Sequence, residues 1–129
     1  MNAAAEGSTY PPVVVVVDPE RVGAFRRLFG IVEGVPPTFA TAAEFEALPQ
    51  VLGDPALGLD FTRVVHGSQA YSYVRPFREG ESLEARARIE SIRHRGGVGF
   101  LTVVIDLVDV DGETVCVARS QLLERGPGA

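Results

Sequence analysis

The chain has 129 residues, 46% of them hydrophobic, with 12 Lys and Arg against 17 Asp and Glu for a formal net charge of -5. That length and apolar content allow one domain with a real core, and the acidic balance excludes the basic stripe that DNA or RNA needs, so no nucleic-acid partner is expected. The longest apolar run, Val13 to Val17, is far short of a bilayer crossing, so no membrane insertion is expected either.

Residues 1–9 are small and polar and read as a disordered tail before a single domain over 10–125, with 126–129 as a second loose end. They lack the basic-then-apolar pattern of a secretory signal. PPVVVVV favours a strand, because β-branched side chains suit a pleated face. Asp18 and Pro19 end that strand and start a helix, aspartate accepting free amide hydrogens and proline losing none. Val22, Phe25 and Phe29, helped by Leu28, mark one apolar face of it; Arg21, Arg26 and Arg27 lie elsewhere, and Gly30 is the stop. A second helix is expected near 38–48. It begins at Thr38 or at a capping box of Thr41 and Glu44, buries Phe39, Ala42 or Ala43, Phe45 and Leu48, and ends at Pro49. Such a rod is only ~15 Å long and needs tertiary packing to persist.

From residue 66 the chain reads mostly as strand. Leu83, Ala85, Ala87 and Ile89 alternate with Glu84, Arg86, Arg88 and Glu90, the pattern of a half-buried strand. The phase shifts near Ser91 and Ile92, which predicts a bulge. RHRGG turns the chain, FLTVVIDLVDV is apolar on both faces and so central in the sheet, Asp111-Gly112 makes a tight hairpin, and TVCVARSQLLER returns beside it. The fold class is therefore α+β, an antiparallel sheet bent round a short helix. One short helix cannot cover the apolar residues along 98–110 and 114–123, so a second copy or a related chain is expected to supply cover.

Several residues are candidates for chemistry. Cys116 is alone, which leaves no internal disulfide and fits a reducing cytoplasm; on a strand it reads as a small buried hydrophobe. Two well-separated histidines, His66 and His94, with no HExxH or CxxC, leave a zinc site little to build on, and no cofactor is expected. Tyr71 and Tyr73 share a strand face and either line a ligand tunnel or pack as core. Arg75 and Arg78 flank a Pro-Phe pair, and Arg93, His94 and Arg95 precede Gly96-Gly97. Either group can meet a phosphate or simply stand in solvent. Asp106 interrupts a doubly apolar strand, so it should reach solvent, an edge or a partner such as Arg119.

PPTF, LGLDFTRVVHGSQAYSYVRPFREGE, RGGVGFLTVV and VARSQLLER, in that order over roughly residues 10–125, resemble the N-terminal domain of the MaoC-like, FAS1-like dehydratases of the hot-dog superfamily, including the non-catalytic type of subunit in actinobacterial (3R)-hydroxyacyl-ACP dehydratases. The resemblance implies a hot-dog fold, a curved antiparallel sheet wrapped around a central helix. It also implies an acyl-CoA or acyl-ACP thioester as ligand, and a homodimer or a heterodimer with a catalytic hot-dog subunit. Catalytic members carry an aspartate and a histidine in a GDxNPxH motif ahead of the PPTF-like stretch. Between Phe29 and Pro36 this chain has only GIVEGV, with Glu33 as the sole ionisable residue.

His66 follows the central helix and does not match that catalytic histidine. With Gln69 it is expected at a packing, interface or substrate contact. Pro37, Thr38 and Phe39 lead into the helix whose N-terminal amides, by the resemblance, face the thioester carbonyl. Tyr71 and Tyr73 are expected along the acyl chain, and Arg75, Arg78, Arg93 and Arg95 at the carrier phosphate. Three functions remain open: a non-catalytic subunit completing an acyl tunnel, a hydratase or thioesterase with other catalytic groups, and a binding or structural homodimer.

Overall fold

The computed structural model describes residues 1–126. Strand β1 (Val13–Val16) leads into helix α1 (Pro19–Phe29) and helix α2 (Phe39–Leu52), and four long strands follow: β2 (Val64–Tyr73), β3 (Ser82–Arg95), β4 (Val98–Val108) and β5 (Thr114–Arg125). The sheet runs β1-β3-β4-β5-β2, every pair antiparallel. Strand β4 is central, as its doubly apolar sequence predicts, and β1 and β2 are the edges. The expected bulge in β3 lies between Ile89 and Ser91. Both hairpin turns use glycine at positive φ, Gly96 at 58° and Gly97 at 77° before β4, and Gly112 at 82° before β5, a backbone that only glycine adopts freely. Among the described residues no helix is long and apolar enough to cross a membrane.

Helix α2 is the centre of the fold. Ala40, Ala43, Ala47 and Val51 are fully buried on one stripe, spaced three and four apart. Their small side chains let the helix lie close to Leu83, Ala85, Ala87 and Ile89 of β3 and Leu101, Val103, Ile105 and Leu107 of β4. Asp18 accepts the Glu20 amide at the start of α1, and Gly30 ends that helix in the left-handed region at φ 68°.

Four expectations need correction. Pro49 does not end α2: the helix continues to Leu52, with Pro49 inside it. Phe45 and Pro49 lie on the exposed side, where solvent takes the Phe45 carbonyl that proline leaves without a donor. Phe45 is 53% exposed, and the buried position next to it belongs to Glu44. On α1, Leu28 and Phe29 face outward at 77% and 57% exposure, because only Val22 and Phe25 reach the core, Phe25 edge-on to Phe39 at 5.2 Å. Residues 1–9 are not a disordered tail. Strand β1 covers β3 only from Ser82 to Ala85, and the rest of that edge would be left with unpaired backbone groups. The Gly7 amide bonds the Ile89 carbonyl, the Ile89 amide bonds Ser8, the Asn2 amide bonds Leu57, and the Glu6 carboxylate accepts the Ile92 amide. Of the expected C-terminal tail, residues 127–129 lie outside the described residues.

Candidate functional site

Strand β2 carries the stretch VVHGSQAYSY, and its geometry turns on Gly67. The register with β5 slips between His66 and Ser68, so the side-chain phase shifts by one residue. His66 and Gln69, three apart, consequently share the face that looks at α2. A Cβ at Gly67 would meet the end of the Leu123 side chain at 2.3 Å and the Gln121 carbonyl at 3.3 Å, so a larger residue there would have to push Leu123 aside.

Beyond the bulge, alternate residues of β2 clasp α2 and the segment that leads into it. Gln69 bonds Glu44, Tyr71 bonds Thr41, and the Tyr73 hydroxyl donates to the Pro37 carbonyl. Thr41 and Glu44 are thus occupied by β2 rather than by a capping box, and Thr38, the residue at the cap position, makes no side-chain cap.

At the buried end of this clasp, Glu44, Gln69 and Ser120 form a closed ring. Gln69 Nε2 donates to Glu44 Oε2 at 2.7 Å, and Ser120 Oγ lies 3.1 Å from Glu44 Oε1 and 2.6 Å from Gln69 Oε1. A serine hydroxyl has one proton. With Glu44 ionised, one of the two bonds at Ser120 has no hydrogen. With Glu44 protonated, the acid donates to Ser120, Ser120 to Gln69 and Gln69 back to Glu44, and each bond has its own. Glu44 is 1% exposed, and burial holds its carboxyl above the ordinary range against the opposing pull of Gln69, Ser120 and nearby His66. The ring describes a neutral acid locking strand to helix.

His66 stands outside the ring, exposed, with Nε2–H donating to the Ser68 carbonyl at 3.1 Å. It borders an apolar groove of about 430 Å³ between α2 and β2, lined with Phe45, Leu48, Leu52, Phe61 and Val64. A second hollow, of about 370 Å³, lies at the other end of α2 against Val35, Pro37, Tyr73 and Phe77. Burial pushes up the Tyr71 and Tyr73 phenols and takes the Cys116 thiol to about 11, so none of the three is an ionised nucleophile near neutral pH.

The other sequence candidates separate. Phe39 is fully buried against Phe25 and Phe77 and is core. The first-turn amides of Phe39, Ala40 and Thr41 already bond the carbonyls of Pro36, Pro37 and Thr38, which leaves little of the helix N-terminus to polarise a carbonyl. Arg75 is neutralised by Glu81, at 2.7 and 3.0 Å, and by Asp109 at 3.3 Å; Arg78 is exposed. The length of β3 separates these two from Arg93 and Arg95, roughly 35 Å along the strand, so the four arginines do not form one phosphate site. Asp106 lies 3.9 Å from Arg88, not against Arg119, which pairs with Glu90.

Sequence reasoning missed Glu44 and Ser120 as a unit. The available signal was a carboxylate in register with Ala40, Ala43 and Ala47, four residues after the first and three before the last.

Residues 10–118 match the family described as the FAS1-like dehydratase domain region. A UPF0336 protein of Saccharopolyspora erythraea is 43% identical over 91 residues, covering 70% of this chain but 58% of that protein's length. A UPF0336 protein of Streptomyces griseus subsp. griseus is 38% identical over 123 residues, covering 95% of this chain and 78% of its own. A chain of the C-terminally truncated HadBC (3R-hydroxyacyl-ACP dehydratase) complex from Mycobacterium tuberculosis superposes with a TM-score of 0.78 at 20% identity, covering 92% of this chain and 96% of that one. The likeness in structure gives the hot-dog fold, and the match along most of the sequence gives the relationship: the chain belongs to the FAS1-like dehydratase domain region family.

Proposed function

We propose that this chain is a cytoplasmic, acyl-thioester-binding hot-dog subunit that lacks an acid–base pair of its own and completes a site with a second hot-dog chain that carries one. The observation that supports this best is the β2 edge. It is paired with β5 on one side only, and the apolar groove opens beside it with Phe45 and Phe61 exposed at 53% and 67%. A partner strand along β2 would satisfy the edge and roof the groove at once. The HadBC relative, a dehydratase complex, is consistent with such a pairing.

Dehydration of a 3-hydroxyacyl thioester moves a proton and a hydroxyl from adjacent carbons, so two converging groups are required. The α1–α2 connection offers Glu33 alone, exposed, while Glu44 is sealed in its ring. The competing reading, a hydratase or thioesterase acting through other groups, draws on one observation: His66 borders the groove.

Hydration of crotonyl-CoA and longer enoyl-CoA substrates by the isolated protein, by His66→Ala and by mixtures with hot-dog chains carrying GDxNPxH separates the two. Near silence alone and a gain in turnover or chain-length range on mixing are expected. Robust activity alone, lost in H66A, would make His66 catalytic. Silence in every mixture would move the weight to a binding or structural homodimer.

A further inference from the structure

We infer that the sheet face away from α2, at its β3–β4 hairpin end, is a docking surface for an acidic amphipathic helix presented by another protein. This goes beyond the thioester reading and stands if that reading falls. The sheet register sets the surface out in rows. Arg95 pairs with Val98 and Val98 with Arg125; Arg93 pairs with Phe100 and Phe100 with Leu123; Thr102 pairs with Gln121. Arg93, Arg95, Phe100 and Gln121 line one hollow of about 590 Å³. The three arginines are exposed, while Phe100, Leu123 and Val98 form a half-buried floor between them.

Charge makes this end unlike the rest of the same face. Towards the far end of β3, Arg86 pairs with Glu84, Arg88 with Glu90 and Asp106, and Arg119 with Glu90. At the hairpin end, Arg93, Arg95 and Arg125 have no ion pair among the described residues, and the three rows contain no acid. Three unneutralised cations side by side in a chain of net charge -5 favour an anionic partner.

The floor and the width select which anion. Arg95 and Arg125 stand one on each side of β4, about 10 Å apart, close to the diameter of a helix with its side chains. A helix laid along β4 would place an apolar stripe on Phe100 and Leu123 and carboxylates three or four residues apart against the arginines. A phosphate site would have no use for the apolar floor. Pairing along the β2 edge extends the sheet in its own plane and leaves this face open.

The test is fluorescence anisotropy of a labelled synthetic 16-residue helix, with glutamates on one face and a leucine stripe beside them, titrated with the full chain at low salt. Measurable binding is expected, weakened about tenfold in R93E/R95E by the loss and reversal of rim charges. Arg27→Glu on α1 should leave it unchanged, and circular dichroism confirms that each variant is folded. A scrambled peptide of the same composition should bind at least about tenfold more weakly than the amphipathic one, because it cannot present the apolar stripe. Equal binding of the scrambled peptide, equal loss in R27E, no binding to the unaltered protein, tighter binding of a single-stranded DNA of matched charge, or displacement by free CoA would each overturn the proposal.

Discussion

The two edges of the sheet are treated in opposite ways. At the β1 side, where β1 stops short, residues 2–10 run along β3 and take up its backbone groups at Ala87, Ile89 and Ile92. At the β2 side nothing among the described residues covers ten residues of strand, and the outward-facing side chains there, Ser68, Ala70 and Ser72, are small and uncharged. Edges left by default are usually blunted by charge, proline or a covering segment. This molecule applies that protection to one edge and keeps the other flat, smooth and pinned to the central helix. The contrast is the argument for β2 as an interface.

The largest expected effect comes from breaking the closed edge. Deleting residues 2–9 removes three backbone–backbone bonds to the body of the fold and the Glu6 carboxylate's bond from the Ile92 amide, and uncovers β3. Urea unfolding should show a loss on the order of 3 kcal/mol, and light scattering should show concentration-dependent association through the new edge. An unchanged midpoint would mean that the N-terminal segment contributes nothing to edge closure.

The clasp holding the open edge comes next. Glu44→Ala leaves Ser120 and Gln69 without their partner and opens a cavity, for an expected loss of about 2–4 kcal/mol. Glu44→Gln can rebuild the ring with one hydrogen per bond and should stay within about 1 kcal/mol of the unaltered protein. The pH dependence separates this from simple packing. Because the folded state raises the Glu44 carboxyl above its unfolded value, the stability it contributes is fully present below the unfolded pKa and is lost as pH rises through the folded one. E44Q should lack that decline, and parallel stability–pH curves for the two proteins would contradict a protonated Glu44.

The smallest effect tests the open edge. Sedimentation at micromolar concentration should give about twice the chain mass, by self-pairing or with a related chain added. Ala70→Lys with Ser72→Lys places charge on the flat edge and should weaken association about tenfold while leaving the melting temperature of the monomer nearly unchanged. A clean monomer before any substitution removes the homodimer and leaves only an unlike partner.

Much of this frame was legible in the sequence because local chemistry and tertiary context agree. Asp18-Pro19 and Gly30 bound α1, the Ile89–Ser91 phase shift is a bulge, and Gly96-Gly97 and Asp111-Gly112 turn hairpins. The candidate site was less legible. Ala42, Ala43, Glu44 and Phe45 are consecutive, so a rotation of one residue decides whether the helix buries an aromatic ring or an acid, and only the polar groups of β2 and β5 settle it. The HGSQ stretch hides its shared face because a strand alternates by two, and nothing local announces the slip at Gly67. Pro49 misled for the same reason: a helix held by burial of Val51 tolerates a missing bond on its wet side.

Strand β1 has a consequence in time as well as in space. Its valines find their partners only in β3, Val13 opposite Ala85 and Val16 opposite Ser82, about 70 residues further on. At ribosomal speeds that is a wait of roughly 4 to 15 s, during which five consecutive valines have no strand to join. An unpaired apolar strand is aggregation-prone in that interval, and shielding residues 13–17 until β3 emerges is expected to raise the yield of folded protein without touching the finished structure.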